Sequence, residues 1–204
     1  MADKFLDLMF TPKVLAAQQH YYGRAQRSAA HGPDDLLGPD EVSFIESRDS
    51  FYMSSVSEAG WPYVQHRGGP PGFFKVLGPN ELAFADYVGN HQMLTTGNLA
   101  SDDRVCLFLM DYPHRARLKI LGHASVLDAK EHPDIADQVA DSETRRITER
   151  IFRIKVVSYD WNCPKYITPR FTMEEINEAV QPLRQHIKEL EEEVEKLRAA
   201  QGLR

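Results

Sequence analysis

The sequence predicts a mainly β protein with flanking helices, an α+β arrangement centred on a small closed or partly split barrel. Two observations indicate this fold class. Apolar and polar residues alternate in short segments separated by turn residues, which predicts six closely spaced, mostly antiparallel strands. From residue 172 onward the period changes, and apolar residues recur every three or four positions, as in a long amphipathic helix.

The N-terminal part, residues 1–38, is predicted to be a helical segment. A helix over residues 11–29 follows from Pro12, which fits the first helical position after a capping threonine. A second, short helix is predicted from Pro39, because two acidic residues follow it at the positive end of the helix dipole.

The next part, residues 39–171, is predicted to hold the barrel. A short helix opened by Asn90 is expected over residues 89–99, and a helical patch over 131–150. Gly122 is predicted to form a bulge, since glycine inside a strand weakens regular pairing. The segments with a strand pattern are 51–56, 61–67, 72–77, 81–87, 104–112, 115–127 and 151–161.

The C-terminal part, residues 172–204, is predicted to be a coiled-coil helix. Thr172 and Glu175 form a capping box, and Pro182 is expected to kink the helix or start a second one. β-branched residues at the a positions and mainly leucine at d favour two parallel strands. The alternative is a helix packed on its own barrel, which usually has a broader apolar face. The a/d residues are Ile176, Val180, Leu183, Ile187, Leu190, Val194 and Leu197.

Composition argues against several classes of protein. The chain has 204 residues and a formal net charge of −6, whereas a nucleic-acid-binding protein needs a basic face. No apolar run approaches the roughly 18–20 residues that span a bilayer. We expect a cytoplasmic protein, because there are two cysteines and neither a signal peptide nor a disulfide framework.

Catalytic and metal motifs are weak in this sequence. Cys106 lies in an apolar run and is expected to be a buried, inert thiol, and Cys163 precedes a proline, as packing or turn cysteines often do. No histidine pair with a carboxylate and no paired CxxC is present, so we expect no metal site. The catalytic residue, if there is one, stays unknown.

Three donor-rich segments predict an anion site. Polar residues end the strand in "PYVQHRGGPPGFFKVL", and a glycine precedes the helix of "GNHQMLTTGNL". Backbone N–H groups at a helix start bind anions. Arg115, Arg117 and Lys119 alternate along one strand and are expected to share a face. The donors of the first two segments are Gln65, His66, Arg67, Asn90, His91, Gln92, Thr95 and Thr96.

The ordered motifs resemble those of the pyridoxamine 5'-phosphate oxidase-like family of FMN-binding split barrels, especially its predicted flavin-nucleotide-binding subgroup. The resemblance covers most of residues 40–172. It is carried by "FIESRDSFYMSSVSEAGWPYVQHRGGPPGF", "LAFADYVGNHQMLTTGNLASDDRVCLFLMDYPHRARLKILGHASV" and "YDWNCPKYITPRFT".

The resemblance implies a six-stranded Greek-key barrel that forms a homodimer with two FMN molecules at the subunit interface. Trp161 is expected to cover the flavin ring from the other subunit. The residues implied at the cofactor are Gln65, His66, Arg67, Asp86, Tyr87, Asn90, His91, Gln92, Thr95, Arg117, Trp161 and Asn162.

Two departures separate this chain from the authentic oxidases. Those enzymes carry an Arg–Lys pair where His91 and Gln92 stand here, which reduces the formal positive charge available for a phosphate. Their C-terminal signature, rich in Arg and His, is replaced by "WNCPKYITPRFT", in which Arg170 matches one arginine only.

These features predict an FMN-dependent oxidoreductase that acts on a small organic substrate, without nucleic-acid or membrane partners. Three alternatives remain open. One is a non-catalytic flavin-binding or sensing module whose output is the coiled coil. The second is a true pyridoxamine 5'-phosphate oxidase, and the third is a barrel that has lost its ligand.

Overall fold

A computed structural model describes residues 3–26, 32–161 and 164–201 of the chain. Within these residues seven strands pair antiparallel in one sheet. The fold class is therefore confirmed, but the expected count of six strands is one too low, because every alternating segment pairs. The strands are Ser50–Val56 (β1), Pro62–Gly68 (β2), Phe74–Gly78 (β3), Glu81–Tyr87 (β4), Arg104–Asp111 (β5), Ala116–Asp128 (β6) and Thr148–Trp161 (β7).

Helices flank this sheet, and in the described residues each is too short or too polar to cross a membrane. A short 3-10 turn, Arg145–Ile147, precedes β7. The α-helices are Asp3–Met9 (α1), Pro12–Tyr22 (α2), Pro39–Glu46 (α3), Leu94–Ser101 (α4), Pro133–Val139 (α5) and Met173–Ala200 (α6).

The sheet curls so that its two ends face each other across an aromatic core. The strand order is β2-β1-β5-β6-β7-β4-β3, which puts β1 and β3 far apart in the ladder. Nevertheless, Phe51 of β1 stacks on Phe74 of β3, with ring centres 4.5 Å apart. Phe84 of β4 lies edge-on to Phe51 and stacks on Phe152 of β7. The barrel is thus closed by side chains that pack between β1, which is next to one end of the sheet, and β3 at the other end.

Two predicted helices are shorter than expected. The helix predicted over residues 11–29 ends at Tyr22, because Gly23 adopts a left-handed conformation with φ 67° and its N–H donates to Gln19 O. Residues 24–26 are not helical, and 27–29 lie outside the described residues. The helical patch over 131–150 resolves into α5, the 3-10 turn and the first residues of β7.

α6 begins at the predicted capping box. The Glu175 N–H donates to Thr172 Oγ1 at 3.2 Å, and the Thr172 N–H donates to Glu175 Oε2 at 2.7 Å. Pro182 lies inside one continuous helix and does not start a second one. No residue of α6 is buried, so the helix does not pack its apolar residues on its own barrel.

Candidate functional site

A cavity of about 320 Å³ opens between β2, β4 and the segment that leads into α4. The period of two along β2 turns Tyr63, Gln65 and Arg67 toward the partly buried face of that strand. Phe84 and Asp86 come from β4, and residues 89–96 complete the wall. Three parts of the chain that are distant in sequence therefore meet at one cleft, because the sheet curls.

Arg67 reaches from β2 across the barrel to β4 and β7. Its Nη1 donates to Asp86 Oδ1 at 2.6 Å, and its guanidinium carbon lies 4.7 Å from the Phe152 ring centre. Burial lowers the pKa of Arg67, while the charge of Asp86 opposes that shift. Its buried Nε has no hydrogen-bond partner among the described residues. Buried N–H groups are nearly always paired, so this donor is an exception among the side chains that line the cavity.

Asp86 joins two arginines from different strands. Its Oδ2 accepts from Arg150 Nε on β7 at 2.9 Å, while Oδ1 accepts from Arg67. Arg150 also lies 3.0 Å from Glu149, so its charge has two acidic neighbours. This network fixes the guanidinium of Arg67 at the cavity wall.

α4 is tied to the barrel by two side-chain hydrogen bonds. Thr95 is buried, and its Oγ1 donates to Gln65 Oε1 at 2.8 Å. Asn98 Nδ2 donates to Ser55 Oγ on β1 at 2.9 Å. The first N–H groups of an α-helix have no acceptor within the helix and carry partial positive charge. The start of α4 therefore presents donors to the cavity that Arg67 also lines.

The segment before α4 has a strained backbone and differs from the prediction. The helix expected over residues 89–99 begins only at Leu94, because His91 and Met93 adopt left-handed conformations with φ 58° and 54°. Asn90 Oδ1 accepts the Gln92 N–H instead of capping a helix. Each such residue costs about 1–3 kcal/mol, and such strain clusters at ligand-binding segments.

Most of the predicted cofactor residues line this cavity. His66 lies on the exposed face of β2, opposite to Gln65 and Arg67, and its ring packs edge-on against Tyr52. His66 therefore borders the cavity, but its side chain points to the opposite face of β2 from those of Gln65 and Arg67. The predicted residues along the cavity are Gln65, His66, Arg67, Asp86, Tyr87, Asn90, His91, Gln92 and Thr95, together with Thr96.

Two predicted cofactor residues lie elsewhere in the chain. Arg117 on β6 stacks on Phe108, with its guanidinium carbon 5.2 Å from the ring centre. Trp161 ends β7, and its Nε1 donates to Glu41 Oε1 at 2.6 Å. Neither lines the cavity of its own chain, so each would reach such a site only from a second copy. The predicted Asn162, like Cys163, lies outside the described residues.

The predicted basic row on one strand face is interrupted. Arg115 precedes β6 in a left-handed conformation, φ 54°, and therefore does not continue the alternation of Arg117 and Lys119. Lys119 is already paired with Asp160, with Nζ 2.6 Å from Oδ2. This row does not form the expected shared basic face.

The sequence analysis did not identify Arg150, nor the rings of Phe84 and Phe152 on which the Arg67 guanidinium lies. A signal was present, since Arg150 and Phe152 alternate along a strand segment. Their partners, Asp86 and Phe84, are set by the register of β4 against β7. No pattern within a single segment specifies that register.

The arrangement suits an anionic ligand. Arg67 and the start of α4 supply donors to an anion, and Gln65 adds an amide. Burial raises the pKa of Tyr87. Burial likewise raises the pKa of the Cys106 thiol, which disfavours a reactive thiolate there.

Comparison with known proteins assigns this chain to a family. A family model described as pyridoxamine 5'-phosphate oxidase matches residues 37–160, whereas curated proteins gave no significant match. An FMN-binding protein from Syntrophomonas wolfei shares 10% identity over 60% of this chain and 86% of its own, with a TM-score of 0.44. A protein related to general stress protein 26, of the pyridoxinephosphate oxidase family from Clostridium acetobutylicum, shares 11% identity over 67% of this chain and 94% of its own, with a TM-score of 0.46.

HupZ of Group A Streptococcus is also similar, with 9% identity over 60% of this chain and 92% of its own and a TM-score of 0.45. The matched segment, residues 37–160, runs from just before α3 almost to the end of β7 and covers more than half of the chain. The protein therefore belongs to the pyridoxamine 5'-phosphate oxidase family.

Proposed function

We propose that the protein is a flavoprotein that binds FMN and transfers electrons to or from a small organic substrate. The observation that carries this proposal is the cavity that is lined both by Arg67, which Asp86 holds in place, and by the start of α4. Membership of the pyridoxamine 5'-phosphate oxidase family and the FMN-binding relative support a flavin as the ligand.

The residues of the cavity fit FMN in size and chemistry. A volume of about 320 Å³ lies within the range of small-molecule sites, and an open rim leaves room for a larger ligand. Arg67 and the N–H groups at the start of α4 would hold the phosphate, and Gln65 would hydrogen-bond the ribityl or ring part. FMN, when bound, supplies the electron-transfer chemistry through its flavin ring.

The protein's own contribution is binding and orientation. Asp86 and Arg150 keep Arg67 in place, since the carboxylate is shared between both guanidinium groups. Tyr87 also lines the cavity, and its side chain hydrogen-bonds to Thr144. No proton-transfer residue is assigned.

We further propose a homodimer in which each cavity is completed by the second copy. Trp161 and Arg117 lie away from the cavity of their own chain, although the family resemblance implies that both approach the cofactor. A second barrel would supply these side chains across the interface. We also propose that the protein is located in the cytoplasm.

The identity of the cofactor can be tested directly. The purified protein should be yellow, and acid should release a chromophore with the mass of FMN. A colourless protein that takes up no added FMN would contradict the proposal and favour a barrel that has lost its ligand. Release of another flavin would change the cofactor and leave the site unchanged.

A second candidate function is a flavin-binding or sensing module without a substrate. The observation that favours it is α6, a helix of 28 residues with none buried, which is suited to an output role. NADH and NADPH separate the two functions, because a reductase flavin should be reduced within seconds to minutes. A flavin that neither cofactor reduces supports the sensing module.

True pyridoxamine 5'-phosphate oxidase activity is the third candidate. The family match ends at residue 160, before the segment "WNCPKYITPRFT" that replaces the substrate-phosphate signature of those enzymes. Oxygen consumption with pyridoxine phosphate tests it. Absence of turnover while FMN stays bound supports the broader oxidoreductase proposal.

A further inference from the structure

α6 leaves a continuous apolar seam uncovered. At about 1.5 Å per residue, its 28 residues extend for roughly 42 Å. None of them is buried, so the chain's own barrel does not cover the seam. Six of its apolar side chains are between 41% and 63% exposed, namely Ile176, Leu183, Ile187, Leu190, Val194 and Leu197.

The seam is narrow and has the spacing of a heptad repeat. With Val180 at a, the apolar residues occupy a and d throughout, and the outward positions are polar apart from Pro182 and Ala199. A helix that packs on a sheet or in a broad groove usually has a wider apolar face. The width of the seam is therefore suited to packing against a single helix that has the same heptad pattern.

From this pattern we propose that α6 pairs with α6 of a second copy of this chain as a parallel, in-register, two-stranded coiled coil. Val180, Ile187 and Val194 put β-branched side chains at a, and leucine fills d at Leu183, Leu190 and Leu197. This combination selects two parallel strands over higher oligomers.

Charges beside the seam are compatible with this register. In a parallel pair, each g residue faces the e residue five positions later on the partner helix. Glu193 then faces Arg198 of the partner subunit, and His186 faces Glu191 of the partner subunit. At the remaining position Ala179 faces Arg184 of the partner subunit, so no like charges oppose each other across the seam.

The pairing has a consequence for the cofactor site. In a parallel coiled coil the two-fold axis of the dimer runs between the two helices. Each a or d residue of one tail therefore faces the same residue of the other tail across that axis. Linking the barrels in this way raises their effective concentration for each other. This step rests on the proposed function, in which FMN lies between two barrels; the pairing itself rests on α6 alone.

Disulfide trapping in the full-length protein tests the pairing. A cysteine at a d position faces its own equivalent in a parallel coiled coil, within the 4.4–6.8 Å between Cα atoms that a disulfide requires. The Leu190→Cys variant should therefore form a covalent dimer at least about tenfold faster than Glu192→Cys, which lies on the outward side. Wild type measures crosslinking through the native cysteines.

A second pair of variants tests the pairing without cysteines, in case the Leu190→Cys variant does not fold. Val194→Glu puts a charge into the seam, whereas Gln181→Glu adds the same charge on the outward side. Val194→Glu should lower helix content and weaken association by at least about tenfold, and Gln181→Glu should change neither. Equal behaviour of the two variants in sedimentation would overturn the proposal.

The orientation has its own outcome. In an antiparallel pair, residue 190 faces residue 187, so Leu190→Cys would crosslink to Ile187→Cys and not to itself, which would also overturn the proposal. Crosslinking is read on gels and does not depend on bound FMN. If the tails crosslink in a protein that binds no flavin, the coiled-coil inference is supported and the proposed function is contradicted.

Discussion

Arg67 combines three features in one largely buried guanidinium group. It pairs with Asp86, lies over the rings of Phe84 and Phe152, and keeps one buried N–H without a partner in the described residues. A planar guanidinium can make these contacts together, whereas the ammonium of lysine offers neither a ring-stacking plane nor an Nε donor. The side chain is therefore held in one position at the cavity wall.

The Arg67→Lys variant should bind FMN about 10- to 100-fold more weakly, since a hydrogen bond to a charged group contributes about 1.5–3 kcal/mol. Titration followed by flavin fluorescence measures this loss. Arg153→Lys is the matched control, because Arg153 pairs with Glu81 away from the cavity. Unchanged FMN affinity in Arg67→Lys would exclude a phosphate contact at this residue.

Asp111 is a second buried charge, at the end of β5. Burial alone would raise its pKa, but hydrogen bonds from His114 and the charge of Arg48 outweigh this effect, so the net pKa is lowered. Arg48 Nη2 lies 2.9 Å from Asp111 Oδ2. A carboxyl with a lowered folded-state pKa stabilises the fold above its unfolded pKa, and this stabilisation is lost as the pH falls through the folded value.

Asp111→Asn should therefore lower the free energy of unfolding by about 1–3 kcal/mol at pH 7. The difference from wild type should shrink as the pH falls below the ordinary value of 3.8, since wild-type Asp111 then becomes protonated as well. Urea unfolding at several pH values measures it. Asp137→Asn, at an exposed pair with Arg145, should change stability by less than about 1 kcal/mol.

At the scale of elements, the irregularity beside Gly122 decides how β6 and β7 fit together. Leu121 pairs with Ser158 and Gly122 pairs with Val156. The extra residue is therefore Val157 of β7, and the bulge predicted at Gly122 lies in the strand opposite it. A Cβ on Gly122 would lie 2.6 Å from Lys155 O and 2.9 Å from Ile154 Cγ2. The two backbones can approach this closely only because position 122 has no side chain.

Gly122→Ala should destabilise the protein by about 1–3 kcal/mol, because the added methyl group must push β7 away. Chemical unfolding followed by circular dichroism measures this change. Gly97→Ala is the control, since Gly97 lies in α4 and a Cβ added there would meet no atom within 4 Å. That variant should be neutral or more stable by about 0.5–1 kcal/mol. A neutral Gly122→Ala would show that the strands relax there at little cost.

At the scale of the whole molecule, the barrel and α6 differ in how they are stabilised. The barrel has a continuous core of aromatic and aliphatic side chains, whereas α6 buries none of its own. Most helical stability in proteins comes from packing of an apolar face, and α6 buries none of its residues within the single chain. We propose the boundary near residue 172, as the change of period in the sequence predicts.

Removal of residues 173–204 should leave the barrel folded. The truncated chain should lose much of its helical circular dichroism and keep its near-ultraviolet spectrum, because the aromatic core is untouched. At high protein concentration its melting temperature should change by only a few degrees, while its dimer dissociates at higher concentration than the wild type. Loss of the near-ultraviolet signal would show that the barrel depends on α6.

The sequence by itself determined the strands, the capped C-terminal helix and the donor-rich segments. These features follow from the local periodicity of apolar residues and from the conformational preferences of residue types, both of which act over a few neighbouring positions. The same local reasoning extended the helix at Asn90 too early, because it contains no information about the left-handed residues His91 and Met93.

The tertiary structure alone decided which donors meet. Period two separates His66 from Arg67, the register of β4 on β7 brings Arg150 to Asp86, and the curl of the sheet carries Arg67 over the aromatic rings. Curl and register arise from side chains that are far apart in sequence, so no single segment specifies them. Trp161 and Arg117 lie away from the cavity of their own chain, and this placement too follows from the fold and from no single segment.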